Sequence, residues 1–417
     1  MREMKDSGIE WIGAIPRAWK MNTIAQIFLQ VKCKNTGLQE KNLLSLSYGK
    51  VKRKSIDTVE GLLPESFDGY NIIEKDDIVL RLTDLQNDHT SLRVGLAEER
   101  GIITSAYLTI RNRSNFCPKY LYYYMHSFDI AKGFYGMGAG VRQGLSWDGV
   151  KWLKILAPSV PEQERIAAFL DAECAEIDTV LEKTRASIEE YKKLKQAVIT
   201  QAVTKGIRGD RPMKDSGIEW IGTCPLDWTV CRIKNVIFPQ EKEVLPDDEI
   251  ITCFRDGEVT LRKNRREDGF TVSFTEHGYH GVDKGDLVIH GMDAFAGAIG
   301  CSDSRGKTTP VVHTCKTAGN NRFFMYFLRS MAYGNILMDL SNGVRIRSSD
   351  FRNFAKLGVF GAVMPPLEEQ NEIVDYIDGI VIQMDRLIQK KENLLTEIEN
   401  YKKSLIYEYV TGKKEVV

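Results

Sequence analysis

One ten-residue string occurs twice in this chain of 417 residues, and it constrains the architecture more than any other feature. Residues 4–13 and residues 213–222 both read MKDSGIEWIG. The similarity continues beyond the identical positions, since Trp19 recurs as Trp228. An internal repeat of this length does not arise by chance, and it predicts two copies of one structural unit. We therefore expect a two-domain protein that arose by tandem duplication.

A second repeated segment closes each half of the chain. Residues 158–206 align without gaps with residues 365–413, and apolar residues recur in both at alternating steps of four and three. This spacing predicts a long helix with a coiled-coil seam. The predicted seam residues are Leu170, Ile177, Leu181 and Ile188 in the first helix and Ile377, Met384, Ile388 and Leu395 in the second. Since neither half offers another partner, we expect the two helices to pack against each other.

These repeats divide the chain into four ranges. Residues 1–157 and 207–364 contain short strand-like runs between Gly, Asp and Asn turns, interrupted by helical patches, which is typical of mixed α/β domains. Residues 158–206 and 365–417 are the helical segments. The predicted fold class is α+β, with two mixed α/β domains separated by two long antiparallel helices around a pseudo-two-fold axis. The alternative is that each helix packs only onto the domain that precedes it.

The charges of the chain cancel, with 57 Lys and Arg against 57 Asp and Glu, but they are unevenly distributed. The helical segments hold more acidic than basic residues, so the two domains carry a basic surplus. That surplus favours a polyanionic partner for the domains and a protein partner for the helices. Because the chain has no long apolar run and no signal-peptide pattern, we expect no membrane contact and a cytoplasmic protein.

Basic and amide side chains cluster at corresponding places in the two domains. Lys and Arg neutralise phosphates, and Arg and Gln make bidentate contacts with base edges. The predicted contacts to double-stranded DNA are Lys50, Lys52, Arg53, Lys54, Arg81, Arg142 and Gln143 in the first domain and Arg255, Arg262, Lys263, Arg265, Arg266, His290, Arg345 and Arg347 in the second. We expect the Lys- and Arg-rich loops to contact phosphates and the remaining residues to reach bases or grooves.

The sequence lacks the usual signatures of catalysis. The run from Gly300 to Thr308 has five residues between its glycines, whereas a phosphate-binding P-loop has four. No HExxH, GxSxG or methyltransferase-type NPPY or DPPY string occurs, and the eight cysteines form no CxxC pair. We therefore predict a chain that is not an enzyme and that binds no metal or cofactor of its own.

Three features in combination resemble the specificity (S) subunit of type I restriction-modification systems. They are the repeated MKDSGIEWIG with the following Pro and Trp, the run GVRQGLSW at residues 140–147, and the helix starts PEQERI and EEQNEI. The resemblance covers essentially the whole chain. It implies two target recognition domains, joined by two conserved helical regions, that read a DNA sequence in two parts.

The same resemblance implies partners. Such a subunit assembles with two methyltransferase subunits and, in the full complex, with translocase/endonuclease (restriction) subunits. Methyl transfer with S-adenosylmethionine, and cleavage with ATP and Mg²⁺, would then belong to those partners. Two other functions remain open on the residues alone: a self-sufficient DNA methyltransferase or nuclease, and a two-domain DNA-binding regulator without enzymatic partners.

Overall fold

The structure is a computed structural model that describes residues 2–55, 66–135, 137, 144–265, 277–340 and 353–416. The chain forms two compact units. Unit 1 comprises Met1–Arg185 and Asn393–Val417, and unit 2 comprises Ala186–Glu392. These units differ from the predicted domains because each of the two long helices contributes one part to each unit. No helix within the described ranges has the length and hydrophobicity needed to cross a membrane.

Two of the helices are far longer than the others. The helices are α1 (Ile24–Ile27), α2 (Pro118–Ile130), α3 (Trp147–Val150), α4 (Val160–Lys205), α5 (Asn321–Tyr333), α6 (Ala355–Gly358) and α7 (Leu367–Val410). Prolines lie at or just before the start of α4 and α7, and acidic residues occupy their first turns, where the helix dipole favours negative charge. Both long helices predicted from the periodicity are confirmed.

Unit 1 is built on a four-stranded antiparallel sheet with the order β4-β11-β8-β9. Smaller two-stranded pairings surround it. The strands of unit 1 are β1 (Met4–Asp6), β2 (Ala14–Pro16), β3 (Lys20–Thr23), β4 (Phe28–Gln30), β5 (Leu44–Ser47), β6 (Lys50–Arg53), β7 (Asn71–Ile73), β8 (Ile78–Leu80), β9 (Val94–Leu96), β10 (Gly101–Ile103), β11 (Leu108–Asn112) and β12 (Lys154–Ala157).

Unit 2 has a four-stranded antiparallel sheet of corresponding strands in the same order, β16-β23-β20-β21. Its strands are β13 (Met213–Asp215), β14 (Thr223–Pro225), β15 (Thr229–Arg232), β16 (Ile237–Pro239), β17 (Ile251–Cys253), β18 (Val259–Leu261), β19 (His280–Val282), β20 (Leu287–His290), β21 (Ile299–Cys301), β22 (Gly306–Thr308), β23 (Val312–Thr317) and β24 (Gly361–Met364). Both domains are therefore mixed α/β, as predicted.

The main core of each unit contains the start of one long helix and the end of the other. In unit 1, Leu170 of α4 and Ile406 of α7 are buried in the same apolar cluster as Trp19. In unit 2, Val203 of α4 and Ile373 of α7 are buried in one cluster, which also contains Trp228. Of the predicted seam residues, Leu170, Ile177, Leu181, Ile188, Ile377 and Ile388 are buried, and Met384 and Leu395 are half-buried.

The two long helices contact each other within each unit. The contacting pairs are Phe169 with Tyr409 and Asp178 with Lys402 in unit 1, and Tyr191 with Lys391 and Lys195 with Asp385 in unit 2. Within each unit, residues later in α4 pair with residues earlier in α7, so the helix segments run antiparallel. The alternative in which each helix packs only onto its own domain is therefore wrong.

The repeated string forms a β-hairpin that docks at the end of a long helix. In unit 1 the hairpin β1-β2 contains two left-handed glycines, Gly8 (φ 67°) and Gly13 (φ 69°), and Tyr407 of α7 donates a 3.1 Å hydrogen bond to the carbonyl of Trp11. In unit 2 the ammonium of Lys205 at the end of α4 donates a 2.7 Å hydrogen bond to the carbonyl of Ile221. The glycines of the repeated string thus have a role in the turns of the hairpin, and its backbone carbonyls have a role in docking.

The similar helix starts also have a structural role. In α4 the amide of Gln163 accepts a hydrogen bond from the backbone N–H of Cys117 (3.0 Å) and donates one to the carbonyl of Pro158 (3.0 Å). Gln370 makes the corresponding bonds in α7, to Asn320 and Pro365. The string PEQERI and its counterpart thus fix each domain to the first turn of its helix.

Candidate nucleic-acid interface

Four of the predicted DNA-binding residues of unit 2 line one cavity of about 730 Å³. They are Arg255, Arg262, Arg265 and His290. Strand β17 and the turn that follows it form one side, and the end of β20 with two threonines at the end of β22, Thr308 and Thr309, forms another. The β17-β18 hairpin and the end of β20 therefore bring together residues that are far apart in the sequence.

The arginines at this cavity are held by carboxylates and aromatic rings. Arg255 forms a 2.8 Å ion pair with Asp293. Arg265 forms a 2.6 Å ion pair with Asp256, which raises the pKa of its guanidinium, and its Cζ atom lies 4.3 Å from the ring centroid of Phe254. Such stacking fixes the plane of a guanidinium while leaving its edge available for bidentate hydrogen bonds.

His290 contributes a neutral donor at the same cavity. Its Nδ1 atom accepts hydrogen bonds from the backbone N–H groups of Met292 (3.3 Å) and Asp293 (3.1 Å), which assigns the ring proton to Nε2. Burial lowers the pKa of His290 and favours this neutral form. An imidazole held in one tautomer can donate to an acceptor on a ligand without adding charge.

A second cavity of about 380 Å³ extends the basic region of unit 2. Arg262, Lys263 and Lys307 line it. The Nε atom of Arg262 donates a 3.2 Å hydrogen bond to the hydroxyl of Thr252, and Lys263 forms a 2.5 Å ion pair with Glu249. The residues Arg262–Asn264 form a short 3-10 helix, so the predicted basic loop is locally helical here.

In unit 1 the basic run predicted as a loop is a strand, and that prediction is corrected. Lys50, Lys52 and Arg53 lie on β6, which pairs with β5 through a two-residue turn. Tyr48 (φ 50°) and Gly49 (φ 74°) both have left-handed backbones, as a tight hairpin turn requires. Lys54 follows the strand and is exposed, like the other basic residues of the run.

Several of these cations already have carboxylate partners. Arg53 is paired with Glu99, and Lys50 lies 3.7 Å from Asp178. Lys50 also lines a cavity of about 320 Å³ between α2, α4, α7 and the β5-β6 hairpin. Arg81 stands apart from this run, at the end of β8, and lies 3.6 Å from Asp88.

Five predicted contact residues lie outside the described residues: Arg142, Gln143, Arg266, Arg345 and Arg347. Within the described ranges, no group of three or more His, Cys, Asp or Glu side chains could hold a metal ion.

Sequence reasoning missed one surface of unit 1, the loop between β8 and β9. Its exposed side chains are Thr83, Gln86, Asn87, His89 and Thr90, which carry hydroxyl, amide and imidazole groups. A search for clusters of Lys and Arg does not detect such a loop. Its signal in the sequence is its length, because the corresponding loop of unit 2 is shorter.

No model of a known protein family matches the chain. Among solved structures, a chain from a study described as the structural basis underlying complex assembly and conformational transition of the type I R-M system matches with a TM-score of 0.68 and 15% identity, over 96% of this chain and 99% of that one. The HsdS subunit from Thermoanaerobacter tengcongensis matches with a TM-score of 0.50 and 15% identity, over 98% and 100%. The resemblance read from the motifs is thus confirmed at the level of the fold: this chain has the fold of a type I restriction-modification specificity (HsdS) subunit.

Proposed function

We propose that this chain is the DNA sequence-recognition subunit of a type I restriction-modification complex. In this proposal each unit reads one part of a bipartite site in double-stranded DNA, and the chain directs two methyltransferase subunits, together with restriction subunits, to that site. The observation that carries the proposal is the convergence of Arg255, Arg262, Arg265 and His290 on one cavity, in a chain with the HsdS fold.

The chemistry of that cavity suits a DNA strand. Arg255 and Arg265 are paired with carboxylates in the free protein, and backbone phosphates would replace those partners with a gain from released counterions. His290 offers a neutral donor to a base edge or a phosphate oxygen. The positions of these guanidinium and imidazole N–H donors would then determine which bases are recognised. The positive charge of the arginines would supply most of the affinity for DNA.

The long helices would serve as the spacer between the two readers. Their excess of acidic residues disfavours contact with phosphates and favours contact with protein. A pseudo-two-fold arrangement of the units would place two different half-sites on either side of an unread gap. The half-sites should differ because β6 in unit 1 and the 3-10 turn in unit 2 present different basic side chains.

Catalysis is assigned to the partners in this proposal. S-adenosylmethionine, ATP and Mg²⁺ would bind the methyltransferase and restriction subunits, and this chain would carry no cofactor. Its contribution to the reaction is the placement of the methyltransferases over the target adenines.

The test is co-expression with the methyltransferase subunit in a host that lacks adenine methylation, followed by genome-wide mapping of methylated adenines. We expect one bipartite motif that is absent when either chain is omitted. Methyl transfer to DNA by the purified chain alone would instead identify a self-sufficient methyltransferase. Sequence-specific binding without co-purification of the methyltransferase would identify a regulator.

A further inference from the structure

The loop between β8 and β9 distinguishes unit 1 from unit 2. It presents five exposed side chains, Thr83, Gln86, Asn87, His89 and Thr90. In unit 2 the corresponding residues 291–298 are buried or half-buried. Amide, hydroxyl and imidazole groups are the side chains that hydrogen-bond to base edges, with Asn and Gln suited to adenine. The loop therefore carries base-reading chemistry that its counterpart lacks.

A completely buried arginine, Arg93, is hydrogen-bonded to the backbone of this loop. The side chain of Arg93 has 0% exposure, and each of its five N–H donors has an acceptor. The acceptors are the hydroxyl of Tyr135 (2.9 Å) and the backbone carbonyls of Arg81 (3.0 Å), Thr83 (2.8 Å), Asp84 (3.4 Å) and Asp88. Four carbonyls of one loop are thus fixed by a single guanidinium.

Tyr135 adds a second attachment. Its hydroxyl donates a 2.9 Å hydrogen bond to the carbonyl of Asp88, and its ring stacks on His89 with 5.0 Å between centroids and 24° between planes. The backbone N–H of Arg93 donates a 2.6 Å hydrogen bond to Asp129 of α2. The loop is therefore joined to the end of α2 and to the segment that follows it.

The two carboxylates of the loop are already engaged. Asp84 accepts a 2.7 Å hydrogen bond from the amide of Asn87. Asp88 accepts hydrogen bonds from Ser91, which keep its pKa well below the usual range, and it lies 3.6 Å from Arg81. Cations thus lie near the Asp88 carboxylate only, at Arg81 and Arg93, while Asp84 is bonded to a neutral amide. These cations reduce the repulsion between the loop and DNA phosphates.

We propose that residues 83–90 form a rigid base-reading loop that contacts base edges of duplex DNA, and that Arg93 is its positioning residue. The inference rests on the proposed function and adds a recognition element to it. A guanidinium is costly to bury unless all of its donors are paired, as they are for Arg93, and a loop held in one conformation loses little entropy on binding. Arg93 thus preorganises the reading surface.

In this proposal the two units read DNA with different kinds of side chain. Unit 1 uses a loop whose exposed side chains are hydroxyl, amide and imidazole groups and whose backbone is fixed by a buried arginine, and unit 2 uses arginines and a histidine around a cavity. Substitutions in the loop should therefore change the readout of one half-site only.

The experiment compares Gln86→Ala with wild type in the co-expressed complex, using methylated adenines in the host genome as the readout. Gln39→Ala is the matched control, since Gln39 is an exposed glutamine of unit 1 outside the loop. We expect Gln86→Ala to relax discrimination at one or two adjacent base pairs of one half-site by about 5- to 100-fold, the range for a bidentate base contact. The other half-site should be read as in wild type.

Arg93→Met tests the positioning role. We expect it to relax several positions of the same half-site as Gln86→Ala, with the other half-site unchanged as evidence that unit 2 is folded and the complex assembled. An unfolding transition of unit 1 retained in urea would show that unit 1 is folded as well. A wild-type motif for both variants would overturn the inference, and so would equal loss at both half-sites. If the wild-type complex itself yields no bipartite motif, the proposed function fails instead.

Discussion

The hydroxyl of Tyr123 on α2 donates a 2.9 Å hydrogen bond to the carboxylate of Asp171 on α4. Unit 2 has the corresponding bond, 2.6 Å long, between Tyr326 on α5 and Asp378 on α7. The carboxylate is also paired with a cation in each case, Lys119 in unit 1 and an arginine in unit 2. Each domain is thus fixed to a long helix about two turns beyond the glutamine that anchors the helix start.

Tyr123→Phe should destabilise unit 1 by about 1–2 kcal/mol, because it removes a hydrogen bond to a charged acceptor. Urea unfolding followed by tryptophan fluorescence measures the change. Tyr48→Phe is the control, since its side chain is 89% exposed and its hydroxyl can bond to water in either state. A loss of stability in the control equal to that of Tyr123→Phe would contradict the assignment.

Asp129 predicts a pH-dependent stability. Burial raises its pKa to about 6, so the folded state holds a proton that the unfolded state releases at lower pH. This contribution makes wild-type stability fall as pH rises from about 4 to about 6. Asp129→Asn keeps the neutral form and should be more stable than wild type at pH 8, by roughly 3 kcal/mol.

The advantage of Asp129→Asn should disappear near pH 4, where thermal unfolding of the two proteins should coincide. Asp148→Asn is the control, because Lys151 lowers the pKa of this exposed carboxyl. It should show no gain at pH 8. A constant difference between Asp129→Asn and wild type from pH 4 to pH 8 would show that titration is not the cause.

Gly257→Ala should destabilise unit 2 more than Gly285→Ala does. Gly257 has a φ of 91°, and a Cβ there would lie 1.2 Å from Nη1 of Arg329. Gly285→Ala is a matched control with a φ of 89° and no heavy atom within 4 Å of the added Cβ. Both variants have backbone strain of about 1 kcal/mol, and only Gly257→Ala must also displace the arginine. Differential scanning calorimetry of both variants would separate the two effects.

Arg265→Ala should weaken DNA binding by the complex at cognate and unrelated sequences alike. Loss of one phosphate contact should reduce the slope of log affinity against log salt concentration by about 1. Lys193→Ala removes an exposed cation from α4 and should leave that slope unchanged. An unaltered slope for Arg265→Ala, measured by fluorescence anisotropy at several salt concentrations, would remove Arg265 from the interface.

Removal of one heptad from each long helix should shorten the gap between the half-sites. Deleting residues 186–192 and 392–398 preserves the phase of the seam and takes roughly 10 Å from each helix. That length corresponds to about 3 base pairs at 3.4 Å per step. The mapped motif of the deletion variant should keep both half-sites; an unchanged gap would refute the spacer role of the helices.

The long helices could be predicted from the sequence because their signal is local and sustained. An apolar residue every three or four positions specifies α4 and α7 over their whole length, and duplication of the pattern identifies the pairing partner. The strands around Val79 and Val288 are likewise marked by short apolar runs between turns.

The candidate sites depended on tertiary contacts that no local pattern contains. Lys50–Arg53 has the composition of a surface loop, yet the turn at Tyr48 and Gly49 folds it back as a strand on β5. Arg93 belongs to no basic run or motif in the sequence. Its role follows only from the four backbone carbonyls that accept its hydrogen bonds in the structure. Periodicity reports which face of an element is buried, whereas it does not report where a loop's carbonyls point.

The composition of the two cores has a consequence for the order of folding during synthesis. Unit 2 is one uninterrupted stretch, Ala186–Glu392, so all of its core residues have been made once that stretch is translated. Unit 1 needs Leu405, Ile406 and Val410, which the ribosome adds more than two hundred residues after the rest of that core. The domain that is second in the gene is therefore the first able to complete its core. The nascent first domain must wait, with an apolar surface uncovered, for the last turns of α7.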